Sequence, residues 1–228
     1  MIFLKNKPLR VDCYTDYKHA YEMFPIQKSV AAKPELHSGD LKRCIGLQNI
    51  YKQGFVMPLW TDINIKMAEI GDPFWSAHSA DEATQVAYHP NEQFGTVINT
   101  DKYQNFKVIS PWALTCTEDV KFISAPLLWQ FDTLPGDVKV LNGVTDFKYQ
   151  HTTNFIFLHK KGPRPTEFTL HCGTPLYQFI PLTERKIDLR LHLVTPQEWL
   201  FYSDRSSRIS FTNNYLKVKA FSNKRNKP

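Results

Sequence analysis

The sequence predicts a mostly β protein, with a single domain built on a clip-like or jelly-roll sheet and two flanking helices. Two observations predict it. Short segments that alternate apolar and polar residues recur through the chain, and most are separated by turns rich in Gly, Pro, Asp or Thr. Helical periodicity is confined to one segment before these strands and one after them. A Gly-rich strand-to-helix loop is missing from the sequence, which disfavours a dinucleotide-binding fold.

The composition is that of a folded, soluble protein. Of the 228 residues, 42% are hydrophobic and 14% aromatic, so the chain can build a sizeable core. No segment approaches the ~18 continuous apolar residues of a membrane span, and the start of the chain has too short an apolar run for a signal peptide. The four cysteines are scattered without a C-x-x-C pair, which favours reduced thiols. We therefore expect a non-secreted protein without a membrane partner.

The chain divides into three regions by its pattern. Residues 1–39 show no clean period and contain turn-forming residues, which predicts an extended N-terminal arm. Residues 40–204 carry the helical and strand patterns and form the expected β-rich domain. Residues 205–228 form a basic C-terminal tail.

The first helix is predicted in the segment DLKRCIGLQNIYKQG. Asp40 is a plausible N-cap and Gly54 lies where a C-terminal glycine is favoured, so we expect about three turns between them. Leu41, Cys44, Ile45, Gln48 and Tyr51 fall near one face.

The strands follow from residue 55 onwards. In DINIKM, Ile63 and Ile65 alternate with polar residues, the pattern of a half-buried strand. Similar segments are FKVIS, VKFIS, VKVL, NFIFL, FTLHC, LYQFI and DLRLHLV.

The final helix has the clearest local signal, in TPQEWLFYSD. Thr195 and Glu198 have the spacing of a capping box, with Pro196 at the first helical position between them. Trp199 and Tyr202 are three residues apart, so we expect them to anchor one face of this helix to the sheet.

The positive charge is concentrated in the tail. The net charge is +6, and no acidic residue follows Asp204. The bases after it are Arg205, Arg208, Lys217, Lys219, Lys224, Arg225 and Lys227. Such an arm can bind nucleic acid or an acidic surface, or can be a solvated end.

The segments GVTDFKYQHTTNFIFL and FTLHCGTPLYQFIPL resemble the core of the trimeric dUTPase and dCTP deaminase group over about residues 106–182. The matching positions are Gly143, Val144, Asp146, Tyr149, Gly173 and Gln178. The resemblance implies a hairpin that binds a nucleotide, so Asp146, Tyr149 and Gln178 are candidate binding residues. Asp146 can equally cap a tight hairpin.

The groups for phosphoryl chemistry are absent from this resemblance. Leu127 and Leu128 stand where the group has its phosphate-binding arginine and serine, Pro175 replaces a second arginine, and Phe147 replaces the second carboxylate. We therefore predict no catalytic residue and no cofactor.

A second resemblance is to a family of proteins encoded by tailed phages of marine cyanobacteria and by some bacteria. It rests on KRCIGLQNIYKQGFVMPLWTDINIK, SPWALTCTEDVKFISAPLLWQ, NGVTDFKYQHTTNF and FTLHCGTPLYQFIPL, and covers roughly residues 41–185. It implies a phage gene, acting in the host cytoplasm or incorporated in a virion. Where that family has Thr-Pro-x-Gly-Trp, this chain has TCTEDV.

Other chemical motifs are not evident. The histidines lack the close pairs typical of metal sites, so we predict no metal. A nucleophile elbow and a Walker-type loop are also missing. Trp75 lies in a polar, turn-rich segment, where it can be a binding hot spot or a lid folded onto the sheet.

These observations favour a non-enzymatic interaction protein of phage origin, in the form of a virion or assembly component. Its partners would be other protein subunits in an oligomer or larger assembly, with nucleic acid as a further partner of the tail. The alternative is a protein with a dUTPase-like core that binds a nucleotide or another small molecule, either with or without hydrolysing it.

Overall fold

The structure is a computed structural model that describes residues 7–32, 44–67, 76–81, 84, 86–87, 94–99, 101–127, 134–150, 152–163 and 166–207. The described residues form three sheets, three α-helices and one 3₁₀ helix. The prediction of a mostly β protein with flanking helices is confirmed.

The helices are α1 (Lys18–Met23), α2 (Ile45–Lys52) and α3 (Pro196–Ser207), and the 3₁₀ helix is Ser29–Ala32. The strands are β1 (Leu9–Thr15), β2 (Gln27–Lys28), β3 (Phe55–Pro58), β4 (Ile63–Met67), β5 (Ser76–Ser79), β6 (Val86–Ala87), β7 (Tyr103–Thr115), β8 (Phe122–Ala125), β9 (Val138–Val140), β10 (Gly143–Thr145), β11 (Thr152–Lys160), β12 (Thr166–Leu170), β13 (Pro175–Pro181) and β14 (Ile187–Leu193).

The largest sheet has the strand order β14-β1-β7-β11-β9, and β6 adds to β7. All its pairs are antiparallel except β1 with β14, which run parallel from Leu9 opposite Ile187 to Thr15 opposite Leu193. The pairing of β7 with β11 is interrupted by a register shift at Thr153. Pro111, which cannot donate to a ladder, lies in β7 at this irregularity, where proline is tolerated.

The N-terminal arm expected for residues 1–39 is corrected over the residues described there. Strand β1 lies inside the largest sheet, and Leu9, Val11 and Cys13 are fully buried on its inner face. Arg10 and Asp12 alternate with these residues in the sequence, and Asp12 on the other face is also nearly buried. The segment therefore has the alternation of a half-buried strand, which the prediction of an arm overlooked. Its pairing partner β14 lies almost at the other end of the domain, and no local sequence pattern indicates that these two strands pair.

The five-stranded sheet has the order β10-β8-β13-β3-β2, and the three-stranded sheet has the order β12-β4-β5. Their inner faces and that of the largest sheet share one apolar core. Its centre is an aromatic cluster in which ring centroids lie 4.8–6.2 Å apart, formed by Phe55, Phe122, Phe147 and Phe179. Burial of each such side chain contributes roughly 1.5–3 kcal/mol, so this cluster ties the β10 segment to the domain centre.

Helix α2 is shorter than the three turns that the sequence predicts. It begins after Cys44, and the proposed N-cap Asp40 lies outside the described residues. Leu47 and Tyr51 are its buried residues, whereas Ile45 is exposed, so the predicted face is only partly correct. Gly54 follows the C-cap with a φ of 78°, as a C-terminal glycine should.

The predicted capping box of α3 is confirmed. The Thr195 N–H donates to Glu198 Oε2 at 2.9 Å, and the Glu198 N–H donates to Thr195 Oγ1 at 3.3 Å. Tyr202 of α3 stacks on Tyr14 of β1 with ring centroids 3.8 Å apart. This stacking anchors the helix to the outer face of the largest sheet.

Candidate functional site

A cleft of about 230 Å³ opens where the chain passes from the largest sheet to the five-stranded sheet. Strand β9 pairs with residues 157–159 of β11. The next strand, β10, pairs instead with β8 in the other sheet. Because β9 and β10 diverge in this way, the first half of β11 and strand β10 face each other across a gap.

The polar side chains among the described residues that line the cleft are uncharged. Its carboxamides are Asn142, Gln150 and Asn154, and its hydroxyls are Ser124, Thr145 and Thr153. Leu141, Gly143, Val144, Ile156, Tyr177 and Phe179 complete the lining. The Tyr177 hydroxyl donates to the Leu141 carbonyl, and burial raises the pKa of Tyr177, so this phenol stays neutral.

Thr153 is the cleft residue with the most unusual environment. It lies at the register shift of β11, where residues 110–112 of β7 stand opposite this single position. It is among the residues that line the cleft although it is only 4% exposed. Within the described structure its Oγ1 has no hydrogen-bond partner. A buried hydroxyl in this state is costly and calls for a partner.

The outer face of the five-stranded sheet is covered at one end and bare at the other. Helix α2 covers the end near β3, where its Leu47 and Tyr51 pack with Val56 and Leu127. At the β10 end, Val144 lies opposite Ile123, which lies opposite Ile180. Val144 is 61% exposed, Ile123 37% and the nearby Leu182 57%. We call Val144, Ile123, Ile180 and Leu182 the bare apolar face.

Asp146 and Tyr149, two of the sequence-predicted binding residues, lie in the turn after β10 and not among the cleft residues. Asp146 is 3% exposed, and its Oδ1 accepts a hydrogen bond from the Lys148 N–H at 3.2 Å. Its carbonyl accepts from the N–H groups of Tyr149 and Gln150. These contacts favour the interpretation of Asp146 as a turn-capping residue.

Gln178 lies on the opposite face of β13 from the cleft residues Tyr177 and Phe179. It is fully buried beneath α2, and its Nε2 donates to the Ile50 carbonyl at 2.9 Å. The structure therefore does not bring Gln178 into the cleft. Trp75 and the tail residues Lys217, Lys219, Lys224, Arg225 and Lys227 lie outside the described residues.

Another polar cluster lies on the outer face of the largest sheet. Arg10 donates to both carboxylate oxygens of Asp12 at 2.7 and 2.8 Å, and His192 Nε2 lies 2.8 Å from Asp12 Oδ1. Burial opposes ionisation of Asp12, but the hydrogen bonds of Arg10 and His192 outweigh it and lower the pKa of the carboxyl group. The cluster thus holds β1 and β14 together through a satisfied carboxylate.

The exposed Cys172 lies beside His171 and Asp62, the residue types that accompany catalytic cysteine nucleophiles. Burial and the neighbouring Asp62 carboxylate raise the pKa of the Cys172 thiol. An activated cysteine requires the opposite shift. All four cysteines are free. No group of three or more His, Cys, Asp or Glu side chains among the described residues could hold a metal ion.

No family model matches this chain, and no curated protein or solved structure shows significant similarity to it. Within the described part of the chain, no helix is both long and apolar enough to cross a membrane.

The sequence signals did not reveal the cleft or the bare apolar face. The alternation in KFIS identifies β8 as a strand but does not show which of its faces is covered. Thr153 carried no signal at all, because its environment arises from a register shift between strands more than thirty residues apart.

Proposed function

We propose that this protein is a non-enzymatic interaction protein that associates with a second copy of itself through the bare apolar face. The observation that carries the proposal is the cross-strand row of Val144, Ile123 and Ile180, which is apolar and open to solvent. Contiguous apolar surface of this kind, at the edge of a sheet, is typical of protein-binding sites.

A second copy fits this face by symmetry. Strand β10 is the last strand of the five-stranded sheet, so a two-fold axis beside it would place the two bare faces side by side. The exposed Lys121 and Glu184 flank the face in sequence with opposite charges. Such a rim surrounds an apolar centre without repelling an identical partner.

The polar clusters of the described residues support a structural rather than a catalytic reading. The carboxylates of Asp12, Asp81 and Glu118 each form a hydrogen bond with a side chain from another segment of the chain. The phage origin, and with it a place in a virion or an assembly reaction, rests on the resemblance of the sequence. Together these points favour an assembly subunit over an enzyme.

The nucleotide-binding alternative has less support. None of the described residues that line the cleft beside the 143–149 hairpin is charged, and Leu127 at the position of the phosphate turn is only 4% exposed. A phosphate there would lack the cationic donors that such groups need.

Sedimentation velocity over a wide range of protein concentrations tests the proposal. We expect the wild-type protein to self-associate and Ile123→Lys to remain monomeric, because a lysine there places a charge in the centre of the face. The matched control is Val97→Lys, at a residue that is 88% exposed and lies outside this face, and it should associate like wild type. A wild-type protein that is monomeric at every concentration would show that the proposal is wrong.

A further inference from the structure

We propose that the cleft between β10 and β11 binds a neutral, polyhydroxylated small molecule of about the size of one sugar ring. This inference goes beyond the proposed self-association. The cleft lies on the inner side of the β10–β8 pair, whereas Ile123 of the bare apolar face lies on its outer side. Val144 borders both surfaces, so the two functions are separated by substitutions at Thr153 and Ile123, each of which belongs to only one of them.

The hydrogen-bonding groups of the cleft define the ligand class. The lining residues include three with carboxamides and three with aliphatic hydroxyls, and both kinds of group offer donors and acceptors without charge. A ligand with several hydroxyls has the same mixture, since each hydroxyl donates one hydrogen bond and accepts others. A phosphate or carboxylate ligand would instead leave its charge without a cationic partner.

The shape and the aromatic residues narrow the class further. A volume of about 230 Å³ is below the roughly 300–1,000 Å³ of clefts that hold drug-sized ligands, so one small ring is the appropriate size. Tyr177 is 5% exposed and Phe179 is fully buried, so neither presents an open ring face. A nucleobase would therefore lose the stacking that usually supports its binding. The binding of a polyol depends mainly on hydrogen bonds, so the lack of an open ring face weakens it less than it weakens the binding of a nucleobase.

Thr153 provides the second, independent observation. Thr153 is among the residues that line the cleft, and its buried hydroxyl has no partner among the described residues. Folding alone gives no reason to retain a hydroxyl at this position, because valine has the same shape and no polar atom to desolvate. A ligand hydroxyl that pairs with Thr153 Oγ1 supplies the missing reason.

The test combines binding and stability measurements on Thr153→Val. Galactose, glucose, N-acetylglucosamine and myo-inositol are titrated into ¹⁵N-labelled protein, with deoxyuridine and glucose 6-phosphate as the competing classes. We expect at least one neutral polyol to shift backbone amide signals of residues 141–145 and 150–156. Thr153→Val should weaken that binding about fivefold, the loss expected for one neutral hydrogen bond. Thr169→Val, in β12 and outside the cleft, is the matched control and should bind like wild type.

Thermal unfolding separates a binding role of Thr153 from a structural one. Thr153→Val should be at least as stable as wild type, since it removes an unpaired buried hydroxyl. A destabilised variant would show that the hydroxyl serves the fold, and would overturn the inference. It would also be overturned if no polyol shifted the cleft signals, or if deoxyuridine or the phosphorylated sugar bound in preference. Ile123→Lys should bind the polyol like wild type, so loss of self-association and loss of ligand binding remain distinguishable.

Discussion

The Tyr17 hydroxyl donates a hydrogen bond of 3.0 Å to the Asp81 carboxylate, across 64 residues of sequence. The same carboxylate accepts from the Thr84 N–H at 2.6 Å, and Thr84 Oγ1 in turn accepts from the indole of the fully buried Trp60 at 2.7 Å. A hydrogen-bond network thus connects the segment before α1 with Asp81, Thr84 and the core. Asp81 is the central acceptor of this hydrogen-bond network.

Asp81→Asn is expected to destabilise the protein by about 1–3 kcal/mol at neutral pH, the usual loss for hydrogen bonds to a charged group. Burial of Asp81 opposes its ionisation, but hydrogen bonds from two threonines and Tyr17 outweigh this and lower the pKa of the carboxyl group. The contribution is therefore fully present above the unfolded-state pKa of about 4 and is lost as the pH falls below it.

Urea unfolding of wild type and Asp81→Asn between pH 3 and pH 7 measures this contribution. The difference in unfolding free energy should shrink towards the acidic end. Asp101→Asn, at an exposed position, should differ little from wild type throughout. A difference for Asp81→Asn that stays constant with pH would contradict the assignment.

Gly54 is predicted to tolerate no side chain. Its φ is 78°, and a Cβ atom there would lie 2.0 Å from the Phe179 carbonyl oxygen, which belongs to the backbone of β13. Gly54→Ala must therefore separate β3 from β13, at an expected cost of about 3 kcal/mol or more. Gly46→Ala in α2 is the control, since its Cβ meets only Cys44 Sγ at 3.9 Å. Alanine there should stabilise the helix by up to about 1 kcal/mol, so thermal unfolding should move the two variants in opposite directions.

Arg185 is predicted to hold the start of β1 in place. It donates in bidentate fashion to Glu118, and also to the carbonyls of Lys7 and Pro8. Arg185→Lys keeps the charge but loses the planar fork, so we expect a loss of about 1–2 kcal/mol in chemical unfolding. Among the described residues, the exposed Arg190 pairs with Asp188 alone, and Arg190→Lys should change stability by less than about 0.5 kcal/mol. Equal effects of the two substitutions would contradict the role given to Arg185.

The parts of the fold that sequence reasoning predicts are those encoded locally. Ile63 and Ile65 are fully buried beside exposed Asn64 and Lys66, as their alternation indicates. The capping box of Thr195 and Glu198 forms because all its atoms lie within one helical turn. Strand β1 was missed although Leu9, Val11 and Cys13 alternate with polar residues, because the turn-forming residues that follow obscured this short alternation within 1–39. Its parallel partner β14 also lies far along the chain.

The cleft and the bare apolar face were harder to predict than the fold, because both depend on which surfaces of the sheets the other elements leave uncovered. The sequence around Ile123 does not differ from that around a buried strand residue. Ile123 is exposed only because α2 does not extend over this end of the sheet. Asp146 and Gln178 have residue types typical of binding sites, yet the structure uses them in a turn and beneath a helix. Whether a polar residue serves the fold or a ligand is decided by tertiary contacts, which a local pattern does not contain.

Gln178→Glu tests that structural role most directly. Gln178 is fully buried, and its Nε2 donates to the Ile50 carbonyl at the end of α2. Glutamate has the same shape but, when ionised, it cannot donate and carries a charge without solvent. We expect burial to raise the pKa of the introduced glutamate, so the loss of unfolding free energy should be small near pH 4 and grow to about 2–4 kcal/mol at pH 7.5.

Urea unfolding at the two pH values measures this loss of stability, with the exposed Gln150→Glu as a control that should change little. If Gln178→Glu unfolds like wild type at pH 7.5, the side chain is accessible to solvent, and a binding role for Gln178 becomes tenable again.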